Sequence, residues 1–469
     1  NGVSVNTDAI DNSAGVDSSD HEVNIKILLA DVVRDGGLTM DERNELLASM
    51  TDEVAHKVLR HNTDQNTLLG NARVQAPAML HVHRRLIDAL EADGFLDREL
   101  EFLPNDVEID ERIEAGEGLT SPEFSVLLAY AKLRLKDQVL ASDVVDDEWF
   151  VRELAAYFPD ALRTGYPEAI EAHALRREII TNSVVNGLVN RGGITFVHRA
   201  SEETGARPEE IVKAFVVARE VFDAQRFIDE VEALDNVVST DVQSSLLLRL
   251  RRLLDRATRW FVHHEVEHTS VSALIERYEP SVSLLAPKVP ELVIGVGREQ
   301  YEDTAAGLVE QGVPEQLARR AAALLDLFVL LDITDLAHEI DADVEAVAST
   351  YFHGAAQIGL GRMLDAIAEL PRDDRWDALA RGAVRDDAYA VLTDLTRDVM
   401  LEAPEAGSTE ERWNAWAERH ALAVERGRAA IAGVERAESR LAPMSVALRT
   451  LRTLTRGTSG DAGQAEPTA

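Results

Sequence analysis

The stretch Gly118-Leu119-Thr120-Ser121-Pro122-Glu123-Phe124-Ser125-Val126-Leu127-Leu128-Ala129-Tyr130-Ala131-Lys132 decides the fold class. Thr120-Ser121-Pro122-Glu123 opens a helix, because proline in the first turn loses no hydrogen bond and presets φ. Over 124–140 the apolar residues Val126, Leu127, Leu128, Tyr130, Ala131, Leu133 and Leu135 cover much of the circumference. A helix of that kind belongs at the centre of a core.

The same pattern continues on both sides. Thr39-Met40-Asp41-Glu42 and Thr51-Asp52-Glu53 are further helix starts, and 74–92 carries apolar residues at helical spacing. The segment 95–109 is less regular and contains Pro104. Further helices are expected at 174–190, 208–234, 242–267, 315–331, 341–370, 375–400 and 410–436. No repeat of solenoid period is visible, and strand signals are scarce after Thr39. The tail 457–469 has almost no apolar content and is expected to be disordered.

Composition bounds the function. The 469 residues are 45% hydrophobic, enough for a large core. With 48 basic and 84 acidic residues the net charge is −36, a surface that repels phosphate backbones and anionic lipids. Neither a nucleic acid nor a membrane is expected as a partner. Cysteine is absent, which excludes disulfides, cysteine–zinc sites and thiol nucleophiles. The longest apolar stretch, 321–331, is interrupted by Asp326 and is too short to span a bilayer. No secretory signal is visible, so a cytoplasmic location is expected. The chain opens Asn1-Gly2-Val3 without methionine, which points to a piece of something longer.

The front differs from the rest. Val3-Ser4-Val5-Asn6-Thr7 reads as a short strand or its end, and Asp11-Asn12-Ser13-Ala14-Gly15-Val16 as a polar turn. Ser19-Asp20-His21-Glu22 reads as a capping box before Val23, Ile25, Ile27, Leu28 and Leu29. A helix tip of this kind attracts carboxylates or phosphates through its unpaired N–H groups. Ser19 could donate to an anion there, and Asn12 offers a donor and an acceptor to an amide-bearing ligand. The plainer reading is a capped loop with no ligand.

Asn12-Ser13-Ala14-Gly15-Val16-x-x-Ser19-x-x-Glu22 resembles the Asn-Ala-Gly-Gly-Val-x-x-Ser-x-x-Glu segment of glutamate dehydrogenases. The fuller string through Ser19-Asp20-His21-Glu22-Val23-Asn24-Ile25-Lys26-Ile27 is similar to the large bacterial NAD-specific members. So are 118–132, Leu175-Arg176-Arg177-Glu178-Ile179-Ile180, Val189-Asn190-Arg191-Gly192-Gly193-Ile194-Thr195-Phe196-Val197 and Ala257-Thr258-Arg259-Trp260. The resemblance implies a C-terminal fragment of an enzyme that oxidatively deaminates L-glutamate to 2-oxoglutarate and ammonia with NAD.

Carried over, it makes Ser19 a ligand of the glutamate side-chain carboxylate. Val16 becomes an apolar wall for the substrate methylenes, and Asn12 a contact at the nicotinamide end of NAD. Ser13-Ala14 departs from the usual Ala-Gly. The family's catalytic lysines, catalytic aspartate and phosphate loop lie upstream of this motif, so the fragment alone is expected to be inactive. Gly359-x-Gly361 does not replace the loop, having no strand before it.

The fold class implied is mainly α: a short α/β remnant of the catalytic domain at 1–37, an all-helical C-terminal domain at 38–456, and the tail. A homo-oligomer is expected.

Two other readings stand beside this one. The chain could be a non-enzymatic helical scaffold. His264-Glu265-Val266-Glu267-His268 matches the zinc-hydrolase pattern His-Glu-x-x-His; it needs a third ligand, for which Glu276, Glu279 and Glu291 are downstream options, and no Gly-x-x-His extension follows. The clusters Arg176-Arg177 and Arg249-x-Arg251-Arg252 are expected to pair with carboxylates of the chain itself. Trp149, Trp260, Trp376, Trp413 and Trp416 are expected as core or interface anchors.

Overall fold

A computed structural model describes residues 5–264, 269–371, 375–403, 407–434 and 441–456. Among them every regular element is helical, which is the mainly α architecture expected. The front of the chain is α1 (Asp8–Asp11), α2 (Ser13–Arg34), α3 (Met40–Ser49), α4 (Thr51–Val74), α5 (Ala76–Ala92), α6 (Asp106–Ala115), α7 (Ser121–Leu140) and α8 (Val151–Tyr157). No helix among the described residues is long and apolar enough to cross a membrane.

The chain divides into two compact units. One comprises residues 1–219 and 254–275, the other 220–253 and 276–469. In the first, α7 is the central rod anticipated from its sequence: Phe124, Leu127, Leu128 and Val139 are fully buried. Its start is locked. The Thr120 N–H donates to the Glu123 carboxylate at 2.7 Å, and Arg112 grips that carboxylate with two bonds of 2.7 and 2.8 Å. Burial opposes the charge on Glu123, but Arg112 and Thr120 outweigh it and hold its pKa below the usual carboxylate range. The helix Arg176–Gly192 packs on α7 and α8, and α2 packs on α4.

In the second unit the long helix Arg375–Glu402 packs against Val344–Ile358 and Leu441–Arg456. Tyr351, Val399 and Trp416 are fully or almost fully buried in that unit. Arg397 there binds Glu339 through two bonds of 2.9 Å.

Four expected helices are each two. The 208–234 run breaks at Asp223, whose φ is +47°, into Pro208–Val221 and Ala224–Glu232. The 341–370 run breaks at Gly359, with φ +80°. Left-handed backbone cannot sit inside a right-handed helix, so each residue ends one helix and starts the next. The 315–331 run becomes Glu315–Ala323 and Leu330–Glu339, and the 410–436 run splits at His420. Apolar periodicity survives such breaks, so the pattern alone does not reveal them.

The front also differs from its reading. Val5 to Thr7 form no strand, and Val3 and Ser4 lie outside the described residues, as does 457–469. The polar turn is helical. Helix α2 begins at Ser13, with Asn12 as its N-cap. The expected cap at Ser19 therefore lies in the second turn of a helix already under way. The reason is tertiary: Asn62 of α4 donates to the Ile10 carbonyl at 3.0 Å and the Ser13 hydroxyl at 2.8 Å, while Ile10 is buried. That anchorage outweighs the weak helix preference of small polar residues.

Four tryptophans are buried as expected, and Trp376 is 75% exposed. Arg177 pairs with Asp146 and donates to the Leu140 and Ser142 carbonyls, in line with pairing inside the chain.

Gly118 marks a close approach. A Cβ there would lie 2.4–2.7 Å from the backbone and Cβ of Ala76 at the start of α5. Gly118→Ala should therefore lower stability by about 1–3 kcal/mol, read from urea unfolding midpoints. An unchanged midpoint would show that the α5–α7 approach is looser than this.

Candidate functional site

Helix α2 has two polar faces with different fates. Asn12, Val16 and Ser19 are spaced i, i+4, i+7 and so share one side of the helix. All three are exposed, Val16 by 74%. The structure thus brings the three expected site residues to one side of α2, with Asn12 at its N-cap and Ser19 in its second turn. The anion-binding argument from a helix N-terminus does not apply to Ser19, because its neighbours' N–H groups already serve the helix.

Neither the Ser19 hydroxyl nor the Asn12 amide has a protein partner among the described residues. Gly15 sits between them on the helix. A Cβ at that position would come within 3.1 Å of the Asn12 side-chain oxygen, so glycine leaves the amide room to move. The residues present therefore suit an amide-bearing ligand at Asn12 and a carboxylate at Ser19, with Val16 as the apolar patch between.

The opposite face is buried and strongly polar, and sequence reasoning missed it. Asp17, Asp20, His21 and Asn24 point into the unit. Tyr157 of α8 donates its hydroxyl to Asp20 at 2.8 Å and accepts from the Asn24 amide at 2.9 Å. His21 is completely buried, its ring stacked on Tyr157 at 4.3 Å between centroids. His173 lies 3.1 Å from the Asn24 carbonyl through its Nε2. Burial, joined by the Asp20 charge, pushes the Tyr157 hydroxyl far above the ordinary range, so it stays protonated as a donor. The signal was available: four polar residues at helical spacing, on the stripe that Ile25, Leu28 and Leu29 continue as core.

Two lysines of α7 lie near this face, Lys132 buried and Lys136 half-buried. Lys132 is pushed down to about 7, chiefly by burial, with Lys136 adding and Asp64 opposing. Burial likewise lowers Lys136, against the pull of Asp20. Asp64 itself is held by Arg60 at 3.0 Å and Arg191 at 2.8 Å.

Other candidates resolve simply. His264 donates through Nδ1 to the Trp260 carbonyl, 2.8 Å away, and stacks on the Trp260 ring; Glu265 and His268 lie outside the described residues. Arg259 is buried and bound by Glu203 at 2.5 Å and Asp255 at 2.8 Å, a structural clamp. Gly359 is a helix cap, not part of a phosphate loop. A cavity of about 270 Å³ in the first unit is flanked by Arg134 and His198, and none of Asn12, Val16 and Ser19 lines it.

Comparison with known proteins gives the family of the chain. The family model described as "Glutamate dehydrogenase, C-terminal" matches residues 116–453, and that described as "Bacterial NAD-glutamate dehydrogenase, catalytic domain" matches residues 1–72. The NAD-specific glutamate dehydrogenase of Mycobacterium tuberculosis (strain ATCC 25618 / H37Rv) is 42% identical over 97% of this chain and 28% of its own length. The protein of the same name from Pseudomonas aeruginosa is 41% identical over 90% of this chain and 26% of its own. That from Halomonas elongata is 40% identical over 89% and 26%. The chain spans about a quarter of the length of these relatives. It belongs to the glutamate dehydrogenase C-terminal family.

The buried lysine makes a pH-dependent prediction. The Lys132 ammonium releases its proton near 7 in the fold but near 10.5 when unfolded, so the unfolded chain holds more protons between those values. The cost of burying the charge is full below pH 7 and fades as pH rises toward 10.5. Lys132→Met should stabilise the protein most at pH 6, with the gain in urea midpoint shrinking by pH 9. A gain independent of pH would contradict the burial account.

Proposed function

We propose that this chain of the glutamate dehydrogenase C-terminal family supplies one wall of the active site of an NAD-dependent glutamate dehydrogenase. The reaction is the oxidative deamination of L-glutamate to 2-oxoglutarate and ammonia. The observation carrying this reading is the exposed row Asn12, Val16, Ser19 on α2, whose side-chain polar groups have no partner among the described residues. Its support from comparison is the catalytic-domain match over residues 1–72 and the relatives' shared name.

On this reading residues 1–37 are the edge of the catalytic domain, and 38–456 the helical C-terminal domain. Ser19 donates its hydroxyl to the distal carboxylate of glutamate and so fixes the long axis of the substrate. Val16 lies against the two methylenes and keeps water from them. Asn12 would hold the carboxamide of the nicotinamide, and the bound NAD would supply the hydride acceptor for the substrate Cα. These groups act by position: holding the distal end of the substrate and the nicotinamide turns an encounter into an oriented complex. The general acid–base chemistry is not assigned to any residue of this chain, which on its own is proposed not to transfer hydride. The helical part braces the catalytic part and builds a homo-oligomer, and the enzyme works in the cytoplasm.

Steady-state kinetics on the complete enzyme carrying this sequence tests the roles. Ser19→Ala removes a hydrogen bond to a charged group, a loss of roughly 1.5–3 kcal/mol, so KM for glutamate should rise about 10- to 100-fold. KM for NAD should stay within about twofold of the parent. Asn12→Ala should show the reverse preference. Equal effects on both substrates, or none, would remove the assignments.

A further inference from the structure

Three ligand-type side chains meet where α2 packs on α4. Asp17 and His21 are one turn apart on α2, and His61 reaches them from α4. One oxygen or nitrogen from each lies within 4.8 Å of the others, the one such group among the described residues. His61 donates through Nδ1 to Asp17 at 2.7 Å, and His21 Nε2 is 4.0 Å from the other Asp17 oxygen. The His21 ring is fully buried, yet neither of its nitrogens has a hydrogen-bond partner. A buried imidazole with both nitrogens unsatisfied costs free energy that an apolar residue would avoid. One of its two nitrogens carries a lone pair that no described group uses.

We propose that Asp17, His21 and His61 form a site for a divalent first-row transition metal of the class of zinc, clamping α2 to α4. Two imidazoles and one carboxylate are a donor set such ions accept, with remaining positions left to water. His61 is 46% exposed and Asp17 21%, so both can move the short way to close the shell. On binding, the Nδ1 proton of His61 passes to its Nε2, and the metal replaces it opposite Asp17. The neighbouring charges do not block the site. The Lys57 ammonium donates to the Ala156 carbonyl at 2.8 Å and faces Glu53 at 4.0 Å, and Asp20 is engaged by Tyr157. The clamp would fix the helix whose far side carries Ser19, but the metal site stands on its own observations.

The test is a zinc titration of the chain after chelator treatment. Calorimetry should show one site per chain, and cobalt in place of zinc should give visible d–d absorption. The chain has 13 histidines, so the site must be located by substitution. His61→Ala is at a partly exposed position and should weaken zinc binding at least about tenfold, with Asp17→Asn acting in the same direction. The His264→Ala/His268→Ala double variant should bind like the parent. Absence of a stoichiometric site overturns the proposal, as does equal affinity of His61→Ala and the parent, or loss confined to the 264/268 double variant. Each readout is direct binding, so it is independent of the kinetic assignment of Ser19.

Discussion

Everything proposed here depends on how α2 is pinned. Its inner face is fastened by Tyr157 to Asp20 and Asn24, by the stacking of His21 on that tyrosine, and by Asn62 at the helix start. Because these bonds are directional, the helix cannot roll without breaking several of them together. The outer face is fixed as a consequence. The backbone that carries Asn12, Val16 and Ser19 keeps one orientation, which sets where their side chains emerge.

The buried polar layer has a cost that the rest of the unit must offset. Lys132 and Lys136 lie near α2 with their charges disfavoured by burial, and Asp64 is neutralised by two arginines rather than by either lysine. The fully apolar face of α7 at Phe124, Leu127 and Leu128 supplies the compensating burial. The same helix therefore carries both the core and the electrostatic tension near the candidate site.

The helical architecture was legible because helix starts are local chemistry. Thr39 and Thr120 with glutamate three residues on cap α3 and α7 as read. The Ser19-x-x-Glu22 pattern misled for the same reason: the motif is present, but Asn12 and the contacts of Asn62 start the helix earlier. The grouping of Asn12, Val16 and Ser19 was legible through family resemblance, and helical periodicity explains why they share a face. The Asp17–His21–His61 cluster was half legible. The first two are one turn apart, but the third comes from a different helix, and only packing of α2 on α4 brings it near. The breaks at Asp223 and Gly359 were hidden because apolar spacing continues through them.

The most direct measurement is a structure of the complete enzyme carrying this sequence, with 2-oxoglutarate and NADH bound. The account predicts the Ser19 hydroxyl within hydrogen-bond distance of the distal carboxylate, with Val16 against the methylenes and the α2 backbone placed as here. A carboxylate held by other groups, with the Ser19 face of α2 covered by protein, would contradict it.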